Sequence, residues 1–145
     1  MNEVTILKMG NNIIVPIQVE LHDRAALKLQ EDILAKIETT GADGLIIDVS
    51  TVGIVDSFLG RLLGETSKMA GLMGAATVLV GMKKEVVITL IQLGMIISDL
   101  HTALNLEDGL ALLEQLKEKN EPSEGGQESQ GGAAYAGENE AGNPD

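Results

Sequence analysis

The 145-residue chain contains no cysteine and no tryptophan, and only one phenylalanine and one tyrosine. The absence of cysteine excludes disulfide frameworks, thiolate metal sites and cysteine nucleophiles. Basic residues are also scarce, since ten Lys and Arg stand against 22 Asp and Glu, for a net charge of −12. Such a chain repels phosphate backbones and anionic lipids, and it lacks the aromatic platforms on which single strands stack. We therefore expect no nucleic-acid partner and no membrane partner.

Long hydrophobic runs are missing as well. The longest apolar stretches are interrupted by Asp48, Gln92 or Gly94, and residues 1–4 do not form the basic start of a secretory signal. The sequence predicts a cytoplasmic protein that is neither secreted nor membrane-spanning.

The composition divides the chain into two parts. Residues 121–145 contain six acidic residues, six glycines, no basic residue and no aliphatic side chain larger than alanine. Because this tail cannot bury enough apolar surface to offset the entropy of ordering it, we expect it to be disordered. Residues 1–120 have the length of one folded domain. The chain as a whole is 44% hydrophobic, which is enough for an aliphatic core.

Hydrophobic periodicity in the first part predicts an α/β fold. Two apolar runs, residues 4–9 and 13–19, flank a Gly-Asn-Asn turn and predict an antiparallel hairpin, with Pro16 at a sheet margin or a bulge. A short, continuously apolar run at 45–47 predicts a central strand covered on both faces, and residues 76–80 predict another buried strand. A last, short strand is expected near residues 96–101.

Four helices are expected between and after these strands. The first should begin at an Asp23 N-cap and stop at Gly41, and the second should run from Ser57 to Met73, just before Gly74. The predicted core-facing residues of the first three helices are Ala26, Leu27, Gln30, Ile33, Leu34 and Ile37, then Phe58, Leu59, Leu62, Leu63, Thr66, Met69, Ala70 and Met73, then Val86, Val87, Leu90 and Ile91. The fourth helix carries Leu110, Leu113 and Leu116. The order ββαβαβαβα implies a mixed sheet with parallel crossovers.

Few residues could support chemistry. Neither GxGxxG nor GxxxxGK[ST] occurs, and the two histidines, His22 and His101, have no carboxylate at metal-binding spacing. The sequence therefore predicts no cofactor and no metal site, and it offers no catalytic constellation. Asp48 and Asp56 are both expected near the carboxyl ends of the parallel strands, where α/β proteins place their ligands.

The informative stretch is DVSTVGIVDSFLGRLLG, residues 48–64, in which a strand leads through a loop into a helix. Either Asp56 or Ser57 is expected to cap that helix. Ser57 is also a candidate phosphoacceptor, because a helix N-terminus presents unpaired N–H groups to a phosphate. A phosphate there would add a charge of about −1.5 to −2 beside Asp56 and would alter partner recognition.

Taken together, GLIIDVS at 44–50, DSFLG at 56–60 and LMGAATVLVG at 72–81 resemble the STAS domain of anti-sigma factor antagonists. The similarity covers residues 3 to about 118 and is stronger still to the stressosome scaffold members of that family, which QVEL at 18–21 and QEDIL at 30–34 also fit. The resemblance implies a mixed-sheet STAS fold. The tail from Glu121 departs from the compact family pattern.

The resemblance also implies a function without catalysis. A serine/threonine protein kinase would phosphorylate Ser57, and Asp56, Ser57, Phe58, Gly60 and Arg61 would form the partner-binding surface. The unphosphorylated protein would hold the kinase in a large assembly with STAS sensor paralogues, and phosphorylation would release it for stress signalling. The resemblance also implies oligomers, including a homodimer, for which exposed aliphatic residues along the hairpin could form a surface, although scattered apolar residues on a surface are common.

Two alternatives remain open. A nucleotide-binding STAS regulator would use the loop containing Gly53 and the same helix start, and saturable nucleotide binding would identify it. A serine hydrolase would use Ser57 as the nucleophile and His101 as the base, although GxSxG is absent. Ester turnover that is lost in Ser57→Ala would identify that second function.

Overall fold

The computed structural model describes residues 5–17, 22–53, 55–92 and 100–120, with the backbone alone for the last residue. The elements are β1 (Leu7–Met9), β2 (Asn12–Pro16), α1 (Asp23–Thr40), β3 (Gly44–Asp48), α2 (Ser57–Leu72), β4 (Ala76–Val80), α3 (Lys84–Gln92), β5 (His101–Ala103) and α4 (Leu106–Asn120). Their order confirms the predicted α/β class. The expected tail, 121–145, and most of the strand expected at 96–101 lie outside the described residues.

The five strands form one mixed sheet in the order β1-β2-β3-β4-β5. The hairpin strands β1 and β2 are antiparallel, and every other neighbouring pair is parallel. Strand β3 is central, as predicted. Pro16 pairs with Asp48 of β3, whereas the pairing of β1 with β2 stops at Leu7 and Ile14. Pro16 therefore lies beyond the hydrogen-bonded part of the hairpin, where its missing N–H costs no ladder bond.

Alternate residues of the buried strands face two separate layers of core. The larger cluster contains Ile13, Leu45, Ile47 and Leu79 and is covered by α1, α2 and α3. The smaller cluster contains Ile14, Ile46, Val78 and Val80 and is covered by Leu113 of α4. Because Leu45, Ile46 and Ile47 are all fully buried, the prediction that β3 is covered on both faces is confirmed.

The predicted ends of α1 and α2 agree with the structure, whereas the predicted N-cap of α1 does not. Gly41, at φ 70°, terminates α1 by donating its N–H to Ile37 O, and Gly74, at φ 92°, follows α2. The expected Asp23 N-cap is wrong, since His22 occupies the cap position and its side chain makes no capping hydrogen bond. Asp23 is instead the first helical residue, where its charge still favours the helix dipole.

Several residues expected in the core are exposed. The stripe of α1 that faces the sheet is Ala26, Leu29, Ile33 and Ile37, so that Leu27, rotated about 100° from Ala26, is 47% exposed. In α3, as in α1, one stripe faces the core, and among the described residues it contains the buried Val86 and Leu90. The other residues expected in the core and found exposed are Met69, Met73, Val87 and Ile91.

A single lysine fixes the end of α4 to the sheet. The Lys117 ammonium lies 2.8 Å from Asp43 Oδ1 and donates to Asn12 Oδ1 at 2.6 Å, while its side chain is only 14% exposed. Asn12 begins β2 and Asp43 directly precedes β3. The last turns of α4 are therefore held at the amino ends of the two strands.

Gly44, the first residue of β3, leaves the room that this contact needs. A Cβ at Gly44 would overlap Asn12 Oδ1 and would lie 3.0 Å from Leu113 Cδ1. We expect Gly44→Ala to lower the free energy of unfolding by about 1–3 kcal/mol, because the added methyl overpacks this site. Urea denaturation monitored by circular dichroism measures the change.

Gly64, inside α2, is the matched control, because a Cβ there meets no atom within 4 Å. Gly64→Ala should raise the free energy of unfolding by about 0.5–1 kcal/mol, since alanine favours a helix interior. If Gly44→Ala were as stable as the unmodified protein, the proposed tight fit between Gly44, Asn12 and Lys117 would be contradicted.

Candidate functional site

The loop from β3 to α2 is held close to the sheet. Asp48, half-buried at the end of β3, accepts a hydrogen bond from Ser50 N at 2.9 Å through its side chain. The Thr51 hydroxyl donates to Ile17 O at 2.8 Å, which ties the loop to the chain that follows β2. The valines of the loop, Val49, Val52 and Val55, are buried. The described residues of the loop, 49–53 and 55, are therefore held against the fold on the path to α2.

A glycine in the next loop supports this path from the side. Gly81 follows β4 at φ 80°, and a Cβ there would lie 2.6 Å from Ser50 Cβ and 3.1 Å from Asp48 Oδ1. Its N–H donates to Ala103 O. Any side chain at this position would collide with Ser50, so the two loops can pass this close only because residue 81 is glycine. The position of Gly81, directly after a buried strand, is a sequence signal for a turn of this kind that the motifs above do not use.

Asp56 caps the helix that starts at Ser57. Its backbone is extended, at φ −85° and ψ 178°, and its Oδ1 accepts a hydrogen bond from Leu59 N at 2.8 Å. Of the two expected caps the structure therefore selects Asp56, which leaves Ser57 as the first helical residue. Both side chains are exposed. A serine at this position keeps its hydroxyl accessible beside N–H groups that have no partner within the helix.

The other residues expected at this surface divide between the outside and the inside. Arg61, one turn after Ser57, is exposed, and Phe58 is half-buried against the larger core cluster. Gly60 is buried and lines a small apolar cavity between α2 and α3. The exposed part of the helix start therefore consists of Asp56, Ser57 and Arg61, while Phe58 and Gly60 support it from below.

The two residues of the expected serine hydrolase lie on different faces of the sheet. His101 begins β5 in register with Val78, which belongs to the cluster on the α4 side, whereas Ser57 begins a helix on the opposite face. The structure does not bring Ser57 and His101 together. Within the described ranges no three His, Asp or Glu side chains are grouped so that they could hold a metal ion. No helix in those ranges is long and apolar enough to cross a bilayer.

Substitution of Asp56 tests whether its side-chain oxygen stabilises the start of α2. We expect Asp56→Ala to lower the free energy of unfolding by about 1 kcal/mol, because the Leu59 N–H loses its acceptor. Asp56→Asn is the matched control, since it keeps a side-chain oxygen for that bond and should cost less. Urea denaturation of the three proteins measures the effect. Equal losses in both variants would show that the Asp56 oxygen is not the element that stabilises the start of α2.

Comparison with known proteins identifies relatives of the chain. The sequence-family model of the STAS domain matches residues 3–109 of this chain. The RsbT co-antagonist protein RsbRA of Bacillus subtilis is 24% identical over 100 residues, which are 69% of this chain and 36% of that protein. The chain therefore spans about a third of the length of this curated relative.

Two solved structures resemble the chain over nearly their whole length. One is RsbS of Moorella thermoacetica, in a variant that carries glutamate in place of a serine, with 38% identity, a TM-score of 0.71, and coverage of 79% of this chain and 97% of that one. The other is a chain in the molecular architecture of the stressosome, a signal integration and transduction hub, with 35% identity, a TM-score of 0.65, and coverage of 77% and 97%. Since the family model covers most of the folded residues and a solved relative shares 38% identity, the chain belongs to the STAS-domain family.

Proposed function

We propose that this chain is a non-enzymatic STAS antagonist of a stressosome that binds a serine kinase and is switched by phosphorylation of Ser57. The observation that carries the proposal is the exposed Ser57 at the first position of α2, next to the capping Asp56. The similarity to RsbS, to a chain of the stressosome and to an RsbT co-antagonist supports an antagonist role in such an assembly.

The switch would act through charge. Asp56 already occupies the Leu59 N–H, and the Thr51 hydroxyl ties the loop before it to Ile17 O. A phosphate on Ser57 would therefore add about −1.5 to −2 charges to a surface whose backbone has little freedom to rearrange. The kinase would meet a locally repulsive surface and dissociate. The unphosphorylated protein would hold it.

The partners follow from the same relatives. We propose that residues 1–120 form the STAS unit, that it assembles in the cytoplasm with STAS paralogues of the RsbRA type, and that the surface formed by Asp56, Ser57 and Arg61, with Phe58 and Gly60 beneath, contacts the kinase. The acidic extension 121–145 receives no role in this proposal.

The phosphoacceptor can be tested directly. The protein is incubated with ATP and the purified switch kinase of the same organism, and the product is mapped by mass spectrometry. We expect a single phosphate on Ser57, no phosphate in Ser57→Ala, and unchanged phosphorylation in the matched control Ser50→Ala, which alters the neighbouring loop. Modification of another residue, or of none, would refute the proposal.

The effect of the charge is measured by titration calorimetry with the kinase. Ser57→Ala should keep the affinity of the unmodified protein, and Ser57→Asp should bind more weakly, because only the aspartate adds a negative charge beside Asp56. Equal affinities for the two variants would show that charge at this position does not control the complex.

We further propose that the chain forms a homodimer through the hairpin. Strand β1 is an edge strand, and Leu7 and Met9 are 48% and 49% exposed. Leu7 is in register with Ile14, whose side chain belongs to the cluster on the α4 side, and α4 packs mainly on β3, β4 and β5. An apolar edge left open in this way is suited to pairing with a second chain.

The dimer is tested by multi-angle light scattering. We expect the unmodified protein to have the mass of two chains and the double variant Leu7→Lys, Met9→Lys to have the mass of one, because the introduced charges would be buried at the interface. Leu72→Lys is the control, since Leu72 is 90% exposed at the end of α2 and lies away from the hairpin. A dimer that survives the double variant would place the interface elsewhere.

A further inference from the structure

An open groove of about 570 Å³ lies at the amino end of β4, between the end of α2 and α4. Four of the residues that line it carry no side chain or a single methyl group: Gly71, Gly74, Ala75 and Ala76. Ser67 and His101 bring a hydroxyl and an imidazole to the same groove. Since the small residues leave this space unfilled, the groove has room for a bulky side chain from another segment.

The edge of the sheet is open at this place in the described part of the chain. Strand β5 pairs with β4 only at residues 78–80, so Ala76 and Thr77 extend beyond the pairing. The Thr77 hydroxyl is buried at the groove and has no hydrogen-bond partner among the described residues. A buried hydroxyl normally has a partner, and an open strand edge is normally covered, because it otherwise attracts other chains. Both observations indicate a site that a further segment completes.

The end of α4 brings one such segment to the groove. Leu116 lines the groove, and α4 ends at Asn120, four residues or about 6 Å of helix later. Residues 121–145 follow directly. The stretch from Asn120 to Tyr135 can span up to about 50 Å, and a tether of this kind holds its end at an effective concentration on the order of 1 mM. A contact with a dissociation constant near that value would be occupied in about half of the molecules.

The segment carries one side chain that suits the groove. Tyr135 is the only tyrosine of the chain, it stands in the sequence GGAAYAG, and no other aromatic or large aliphatic residue occurs from 121 to 145. The alanines and glycines beside it permit a close approach to a surface. A tyrosine ring is apolar with one polar end, so its faces can pack on the small residues of the groove while its hydroxyl meets Ser67 or His101. Tyr135 is therefore the one group of the segment that gains most by burial in this groove.

Charge favours the same contact. Residues 121–145 contain six acidic residues and no basic one. Lys68 precedes Gly71 of the groove by three positions in α2, and Lys119 follows Leu116 by three positions in α4. Because residues three apart share a helix face, each lysine lies on the face that borders the groove. Both lysines are exposed, and neither takes part in an ion pair among the described residues, so the acidic segment would supply the opposite charge.

We infer that the C-terminal segment of this chain docks on its own domain, with the Tyr135 ring in the groove and acidic residues beside Lys68 and Lys119. The docked segment would cover the open edge of β4 and keep it from pairing with other chains. The inference goes beyond the proposed function and does not depend on it. Gly71 lies 14 residues along α2 from Ser57, a rise of about 21 Å, so the docked segment would leave Ser57 accessible.

Tyrosine fluorescence tests the inference on the full chain. The chain has no tryptophan, so its tyrosine emission comes from Tyr135 alone. Gly71→Glu should raise the acrylamide quenching constant of this emission about twofold, because the glutamate fills the groove, repels the acidic segment and exposes the ring. Gly71 is exposed, and a Cβ there meets no atom within 4 Å, so the substitution spares the fold.

Gly64→Glu is the matched control for this substitution. It makes the same change two turns earlier in α2, at a residue that also has no atom within 4 Å of an added Cβ and is not among the described residues that line the groove. The quenching constant should stay unchanged. If Gly71→Glu also left the quenching constant unchanged, the inference would be overturned.

The two lysines are tested in the same way. Lys68→Glu combined with Lys119→Glu should raise the quenching constant, since two attractive contacts become repulsive. The control is Lys83→Glu combined with Lys84→Glu, which makes the same change of net charge beyond the opposite end of β4 and should have no effect. An equal rise in both double variants would assign the effect to net charge and would overturn the inferred contacts.

A spin label distinguishes docking on the same molecule from docking on a second copy. Because the chain has no cysteine, Ala136→Cys places a single nitroxide label next to Tyr135. In the ¹⁵N-enriched protein the label should broaden the amide signals of Ala75 and Thr77, and adding Tyr135→Ser should remove this broadening. Labelled protein without ¹⁵N, mixed with unlabelled ¹⁵N-enriched protein, should cause none.

Each remaining result decides the inference. Broadening that is absent from the groove or spread evenly over the surface would overturn it, and broadening in the mixed sample would assign the segment to a second copy and overturn it as well. Circular dichroism shows whether each variant is folded. If Gly71→Glu is unfolded, Tyr135→Ser decides, since that substitution changes no described residue. None of these measurements involves the kinase, so the phosphoswitch is tested separately.

Discussion

The burial of β3 on both faces is the constraint on which the rest of the molecule depends. Leu45 and Ile47 need a layer of helices on one side and Ile46 needs α4 on the other, and each of these side chains contributes about 1.5–3 kcal/mol only when it is fully removed from water. The strand is therefore fixed in the middle of the sheet. Asp48, at its carboxyl end, is fixed with it, and the loop that leads to Ser57 begins from a position that the whole core determines.

The sequence predicted the order of the elements, the central strand and the helix start at 56–57, because these features are encoded by local patterns. It was less accurate for the outer sides of the helices. In α1 and α3, apolar residues occupy more than one stripe, so periodicity alone could not decide between Leu27 and Leu29 or between Val86 and Val87. The choice is made by contact with the sheet.

Several details of the candidate site could not be predicted from the sequence. Aspartate and serine are both favoured caps, so the residue types alone left Asp56 and Ser57 equivalent. The extended backbone of Asp56 and the hydrogen bond from Leu59 N to its Oδ1 assign the cap to Asp56. The bond from Thr51 to Ile17 joins residues that are 34 positions apart, and the contact of Gly81 with Ser50 joins two separate loops. Such contacts depend on the assembled fold and leave no periodic signal in the chain.

The direction of α4 gives the molecule two poles. Gly109, in its first turn, packs beside Val80 at the carboxyl end of β4, whereas Lys117 reaches Asn12 and Asp43 at the opposite end. Lys117 follows Gly109 by eight residues of helix, a rise of roughly 12 Å along the sheet. The chain beyond the helix thus departs from the pole that lies away from Ser57. A segment fused to the end of α4 would therefore begin on the side of the domain opposite Ser57.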